Sequence, residues 1–249
     1  MAGGRAPLAR VMSAGEAIFA RIRAGLGRGP LSAEEVERLE ARVAAHAPNL
    51  IPARANGPET GRLALFERLA EDVGTTFAHV TSYNDVPAAL LAYLTEHDLP
   101  TRLRMSPDPA LDRIPWHDES ALEIGRGRAE SDDLVSVTPC FAAVAETGTL
   151  VLVSSADRPA TLNFMPDTHV VVLAASDVLG SYEDAFAKLR RAQPGSAFMP
   201  RTVNFVTGPS RTADIELTIV RGAHGPRHLH VIVVRVEPAK SSDGSSATR

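Results

Sequence analysis

The chain is poor in cysteine: Cys140 is the only one among 249 residues. A single thiol excludes an intramolecular disulfide, and it excludes a four-cysteine iron–sulfur cluster carried by this chain alone. Long apolar runs are missing too, since none approaches the ~20 residues that span a bilayer. Positive charge is not in excess: 26 Lys and Arg stand against 30 Asp and Glu, a net charge of −4. That balance argues against a nucleic-acid partner, which favours a basic surface. There is no Gly-x-Gly-x-x-Gly after a strand, no P-loop, no His-Glu-x-x-His and no Gly-x-Ser-x-Gly. Nicotinamide, nucleotide-phosphate and α/β-hydrolase readings lose their main support. The first thirty residues hold five arginines and one acid, Glu16. This resembles a transit peptide in composition, but the segment reads better as a helix, and the default compartment is the cytoplasm.

What is present is an ordinary globular composition, 44% hydrophobic and 22% charged, in a chain long enough to bury one sizeable core, as one α/β domain or two small ones. Val11, Ile18, Phe19, Ile22 and Leu26 fall at helical spacing and predict an amphipathic helix ending between Gly25 and Gly29. A second helix starts at Ser32, with Glu35 completing a capping box and Leu31 and Val36 placed as a staple. Residues 1–48 thus read as an N-terminal helical arm that packs on the body or on a partner.

The body, residues 49–237, alternates. Leu65, Phe66, Leu69 and Val73 predict a helix closed by Gly74. A strand over 76–81, a helix opening at Asn84 or Asp85 and a short strand over 101–105 follow. The stretch 106–133 reads as loop-rich. Apolar runs at 134–137, 149–154, 169–173, 203–207 and 229–236 predict strands buried on both faces, with helices near 182–191 and 212–220 between them. The fold class is α/β, built on a mostly parallel sheet. Residues 238–249 lack packing residues and read as a disordered tail.

Three pieces can carry chemistry. In Glu146-Thr147-Gly148-Thr149 a carboxylate adjoins a glycine at a strand entrance, where it can act as nucleophile or base or simply flank a turn. In Gly208-Pro209-Ser210-Arg211-Thr212 a tight turn precedes hydroxyls and a guanidinium suited to an anion, at the amino end of the predicted helix. Asp214 and Glu216, two apart on that helix, would not form a paired acid/base dyad. In Gly222-Ala223-His224-Gly225-Pro226 an exposed imidazole can serve as acid, base or ligand, or hold the turn. His228 and His230 would share a strand face, but no carboxylate or cysteine stands at ligand spacing, so no metal is assigned. Cys140, after Pro139 in an apolar stretch, reads as a small buried hydrophobe. The residues name no cofactor.

Glu146-Thr147-Gly148-Thr149-Leu150, Met165-Pro166-Asp167-Thr168-His169, the run from Gly208 to Glu216 and Gly222 to Pro226 together resemble the LUD-domain family, in particular its short, cluster-free members. The resemblance covers roughly residues 60–237. It implies a three-layer α/β fold like that of CoA transferases and ribose-5-phosphate isomerase. It also implies participation in L-lactate oxidation to pyruvate beside partners that carry iron–sulfur clusters. It supplies no settled catalytic set, so Glu146, Asp214 and His224 stand as catalytic candidates. Thr147, Gly148, Thr149 and the run Gly208 to Thr212 stand as ligand-binding ones. Two functions follow. One is a non-redox subunit of a lactate-oxidising system with a small-carboxylate site. The other is an acyl- or CoA-transfer enzyme in which Glu146, in a Glu-x-Gly motif like that of CoA transferases, is the nucleophile.

Overall fold

The computed structural model describes residues 13–27, 29–192, 199–215 and 218–236, with the backbone path alone for 212–215 and 218–221. The chain divides into two compact units, Met1–Asn49 and Leu50–Arg249.

The first unit holds α1 (Ala14–Gly25) and α2 (Ala33–Ala45), each started by a capping box, Ser13 with Glu16 and Ser32 with Glu35. Each serine hydroxyl accepts an orphan amide at N3 while the glutamate reaches back to the cap amide, so both helix starts are fixed locally. Neither helix contributes a buried residue. Val11 and the segment 238–249 lie outside the described residues.

The second unit runs α3 (Glu59–Glu71), β1 (Thr76–Val80), α4 (Val86–Glu96), β2 (Arg102–Met105), α5 (Pro109–Asp112) and β3 (Glu123–Arg126). It continues with β4 (Val135–Pro139), β5 (Ala142–Val144), β6 (Thr149–Val153), β7 (Thr168–Ala174), β8 (Val178–Leu179) and α6 (Tyr182–Ala192). Last come β9 (Val203–Val206), β10 (Arg211–Ile215), β11 (Thr218–Arg221) and β12 (His228–Val234). Six strands form one sheet in the order β1-β12-β7-β4-β2-β3, and every pairing in it is parallel. A second sheet, β8-β5-β6-β9, is mixed.

Alternation along the central strands decides the layers. Val170 and Val172 of β7, with Ile232 and Val234 of β12, pack with Leu90 and Leu94 of α4. Val171, Leu173, Val231 and Val233 point the other way, into a core shared with Phe66 of α3 and Leu150 and Leu152 of β6. The six-stranded sheet is therefore the middle of three layers, a helix layer on one face and α3 with the second sheet on the other. Outside the second sheet, Ala185 of α6 packs with Ala142, Val144 and Val151. The α/β class and the parallel sheet agree with the sequence reading.

One element differs. The run 212–220, read as a helix, is instead the antiparallel hairpin of β10 and β11, with Arg211 opposite Arg221, Thr212 opposite Val220 and Ile215 opposite Thr218. β-branched residues dominate it, and a pleated pair accommodates them better than a helical turn. The partial positive charge of a helix N-terminus is accordingly absent beside Gly208. The loop-rich stretch contains α5 and β3, and β5 and β8 are additional short strands.

Candidate functional site

Two of the three motif pieces, far apart in sequence, meet around the carboxyl end of α3. Gly148 has φ +66°, and a Cβ there would lie 2.6 Å from the Ala70 nitrogen. Gly208 has φ +78°, and its Cβ would meet Val73 Cγ2 at 2.8 Å. Both glycines thus serve two demands at once, a left-handed backbone and close contact with α3. Between them runs a chain of hydroxyls: Thr147 Oγ1 to Thr149 Oγ1 at 2.7 Å, and Thr149 Oγ1 to Thr207 Oγ1 at 2.7 Å. The Tyr182 hydroxyl lies 3.1 Å from both Thr147 and Thr149. These threonines stitch β6, the end of β9 and the start of α6 together.

Glu146 leaves this chain in another direction. It is buried, and its Oε1 accepts the Tyr182 amide at 2.9 Å, at the first turn of α6. Its own amide donates to the Gly180 carbonyl at 3.1 Å. A carboxylate at a helix N-terminus satisfies an orphan donor and favours the dipole.

The second and third pieces close on each other through Ser210. Its amide donates to the Pro226 carbonyl at 2.8 Å, its carbonyl accepts from Gly222 at 3.1 Å, and its hydroxyl accepts the His224 amide at 3.2 Å. The two turns bound a cleft of about 250 Å³, walled by Phe164, Phe205 and the run Thr207 to Arg211 on one side and His224 to Pro226 on the other. Arg211 and the His224 ring are exposed at it. Asp214 and Thr212 lie on β10 with their side chains outside the description, and Glu216 lies outside the described residues altogether.

His169, at the start of β7, also lines this cleft. It is fully buried; its Nε2 shares a 2.7 Å hydrogen bond with Thr138 Oγ1, and its Nδ1 has no protein partner. Burial lowers its pKa to about 3, so the ring is neutral. Reasoning from the sequence passed over it as a site residue, although the run Met165 to His169 was conspicuous. Asp167, just before it, accepts the amides of Arg227 and His228 and so ties β7 to β12.

His228 is exposed, whereas His230 is buried: it stacks on Tyr93 with ring centroids 3.8 Å apart and pairs through Nδ1 with Thr76 Oγ1 at 2.8 Å. No group of three His, Cys, Asp or Glu among the described residues is arranged to hold a metal. The Cys140 thiol donates to the Ala142 carbonyl at 3.0 Å, and burial pushes its pKa up to about 12, so it stays protonated. Among the described residues no helix is long and apolar enough to cross a membrane.

A parallel six-stranded sheet flanked by helices and a second, mixed sheet, with a cleft at the amino ends of β7 and β12, defines an α/β protein of the LUD kind. The family model described as the LUD domain matches residues 63–234, and the chain belongs to that family. Among curated relatives it is 34% identical over 113 residues to Lactate utilization protein C of Geobacillus thermodenitrificans, covering 45% of this chain and 47% of that one. It is 36% identical over 100 residues to an uncharacterized protein of Neisseria meningitidis serogroup B (40% and 42%). Lactate utilization protein C of Bacillus subtilis is 33% identical over 100 residues (40% and 42%). The matched stretch spans less than half the length of each. A crystal structure of a DUF162 family protein from Deinococcus radiodurans superposes with a TM-score of 0.50 at 25% identity, covering 72% of this chain and 99% of that one.

Proposed function

We infer that this chain serves lactate utilization as a cluster-free component, acting in the cytoplasm with partner proteins that carry iron–sulfur clusters. The observation that carries the reading is the match to relatives named Lactate utilization protein C. Oxidation of L-lactate to pyruvate releases two electrons and two protons. A four-cysteine cluster needs more thiolates than Cys140 alone supplies, so the electrons pass to the partners' clusters. The role of this chain is to bind the anion and take up the hydroxyl proton, while the Cα hydrogen leaves as the second proton and its two electrons go to the partners. Arg211 is suited to a bidentate grip on a carboxylate, and the exposed His224 would accept the hydroxyl proton. Ser210 holds the two turns in register so that these groups face one cleft. The acyl-transfer alternative draws no support from the geometry, because the Glu146 carboxylate is occupied at the start of α6.

The test is recovery of tagged protein from its native cell, with visible absorbance and lactate-dependent dye reduction as readouts. Brown co-purifying partners with lactate activity, lost in Arg211→Ala and partly kept in Arg211→Lys, support the reading. A colourless protein recovered alone, inert with lactate, overturns it.

A further inference from the structure

The cleft described above lies at the amino ends of β7 and β12. A larger crevice lies at their carboxyl ends, roughly 16 Å away along strands that rise about 3.3 Å per residue. In parallel α/β sheets this is the end where ligands bind. The crevice has two lobes. The larger, about 710 Å³, opens between α3 and the strand ends, with Leu63, Ala64, Ala174, Ala175, Val234 and Val236 giving it an apolar lining. The smaller, about 190 Å³, is lined by the end of β4 from Pro139 to Phe141 and by Arg158, Lys188 and Asp177. Tyr83, Arg113 and Ala174 line both lobes and mark their junction.

The charges are distributed unevenly. Around the smaller lobe Lys188 Nζ is 2.6 Å from Asp177, and Arg158 pairs with Asp108. In the larger lobe Glu67 is engaged by Arg235 at 3.4 Å, and Glu59 stands at the amino end of α3. Arg113 has no carboxylate partner among the described residues. Its guanidinium carbon lies 3.7 Å from the Tyr83 ring centroid, and its Nη2 donates to the Tyr83 hydroxyl at 2.6 Å. A guanidinium held over an aromatic ring by a cation–π contact and one hydrogen bond keeps its other donors available to a ligand. Three cations against two carboxylates leave the smaller lobe with one positive charge in excess.

We propose that this two-lobed crevice is a second binding site, for a small amphipathic anion whose carboxylate or phosphate head meets Arg113 and whose apolar body fills the lobe between α3 and the ends of β7 and β12. The volume falls in the range of small-molecule sites, and a mostly apolar wall with a few polar groups is how such sites fix orientation. The site is independent of the lactate reading.

The test uses 8-anilinonaphthalene-1-sulfonate, fused apolar rings with one anionic head, titrated by fluorescence into the full chain. Saturable binding is expected, displaced by decanoate or decyl phosphate and not by decanol; the better displacer says whether the head is carboxylate or phosphate. Arg113→Met should weaken the probe at least about tenfold, the loss expected for a charge-assisted contact. Ala64→Trp, at an exposed helix position that tolerates bulk, should abolish binding with helicity unchanged. Arg201→Met, the same charge change elsewhere, should do nothing. Equal displacement by decanol, or full binding in Arg113→Met, overturns the proposal. So does a large gain in affinity on deleting residues 237–249, which would make the chain's own tail the occupant.

Discussion

The carboxylate of Glu146 accepts the amide hydrogen of Tyr182 at 2.9 Å, fastening the entrance of β6 to the start of α6. Glu146→Gln keeps an acceptor there and should leave both fold and lactate-dependent activity near the parent level. Glu146→Ala strands a buried amide and should cost about 1–2 kcal/mol in urea unfolding. Loss of activity in a stably folded Glu146→Gln protein would return the glutamate to a nucleophilic role.

Gly148 meets α3 where no side chain fits. Gly148→Ala places a Cβ 2.6 Å from the Ala70 nitrogen at φ +66°. Strain and overpacking together should destabilise the protein by about 3 kcal/mol, read as a lower thermal midpoint. An unchanged midpoint would mean that α3 yields freely.

The Tyr182 hydroxyl closes the threonine chain at 3.1 Å from both Thr147 and Thr149. Tyr182→Phe should cost about 1 kcal/mol of stability and leave lactate activity untouched, because these hydroxyls satisfy one another. A fall in activity with stability intact would instead make Thr147 and Thr149 ligand contacts.

Acid should weaken the fold through two histidines. Burial lowers His169 to about 3, and burial with the neighbouring His97 lowers His230 to about 4, against about 6.5 in an unfolded chain. The unfolded chain binds these protons first, so their contribution is whole above pH 6.5 and is lost as pH falls through that value toward 4 and 3. Below pH 6.5 each adds a slope of about 1.4 kcal/mol per pH unit. Urea unfolding of His230→Asn between pH 7.5 and 4.5 should show one such slope removed. A slope equal to the parent's would contradict the assignment.

Much of the fold was legible. The capping box of Ser32 and Glu35, valine-rich runs at β4, β7 and β12, and the apolar spacing of α3 and α4 are local signals, and local physics reads them correctly. The hairpin of β10 and β11 was not legible, because Arg211 to Ile215 begins after a turn that equally suits a helix start. Only pairing with β11 selects the extended form. The candidate site was half legible. Gly208, Ser210, Arg211 and His224 stand out as turn and anion chemistry, whereas buried His169 depends on a partner in β4.

The sequence by itself determined most element types outside the hairpin of β10 and β11, the parallel character of the main sheet and the lack of thiolates for a cluster, since period, composition and residue counts do not depend on what packs where. Tertiary structure alone decided that the motif glycines answer to α3, that Glu146 points to α6, and that Arg113 stands beside Tyr83 at the carboxyl ends of the strands. Each depends on residues tens to hundreds of positions apart meeting in a close-packed interior, and no local pattern encodes that meeting.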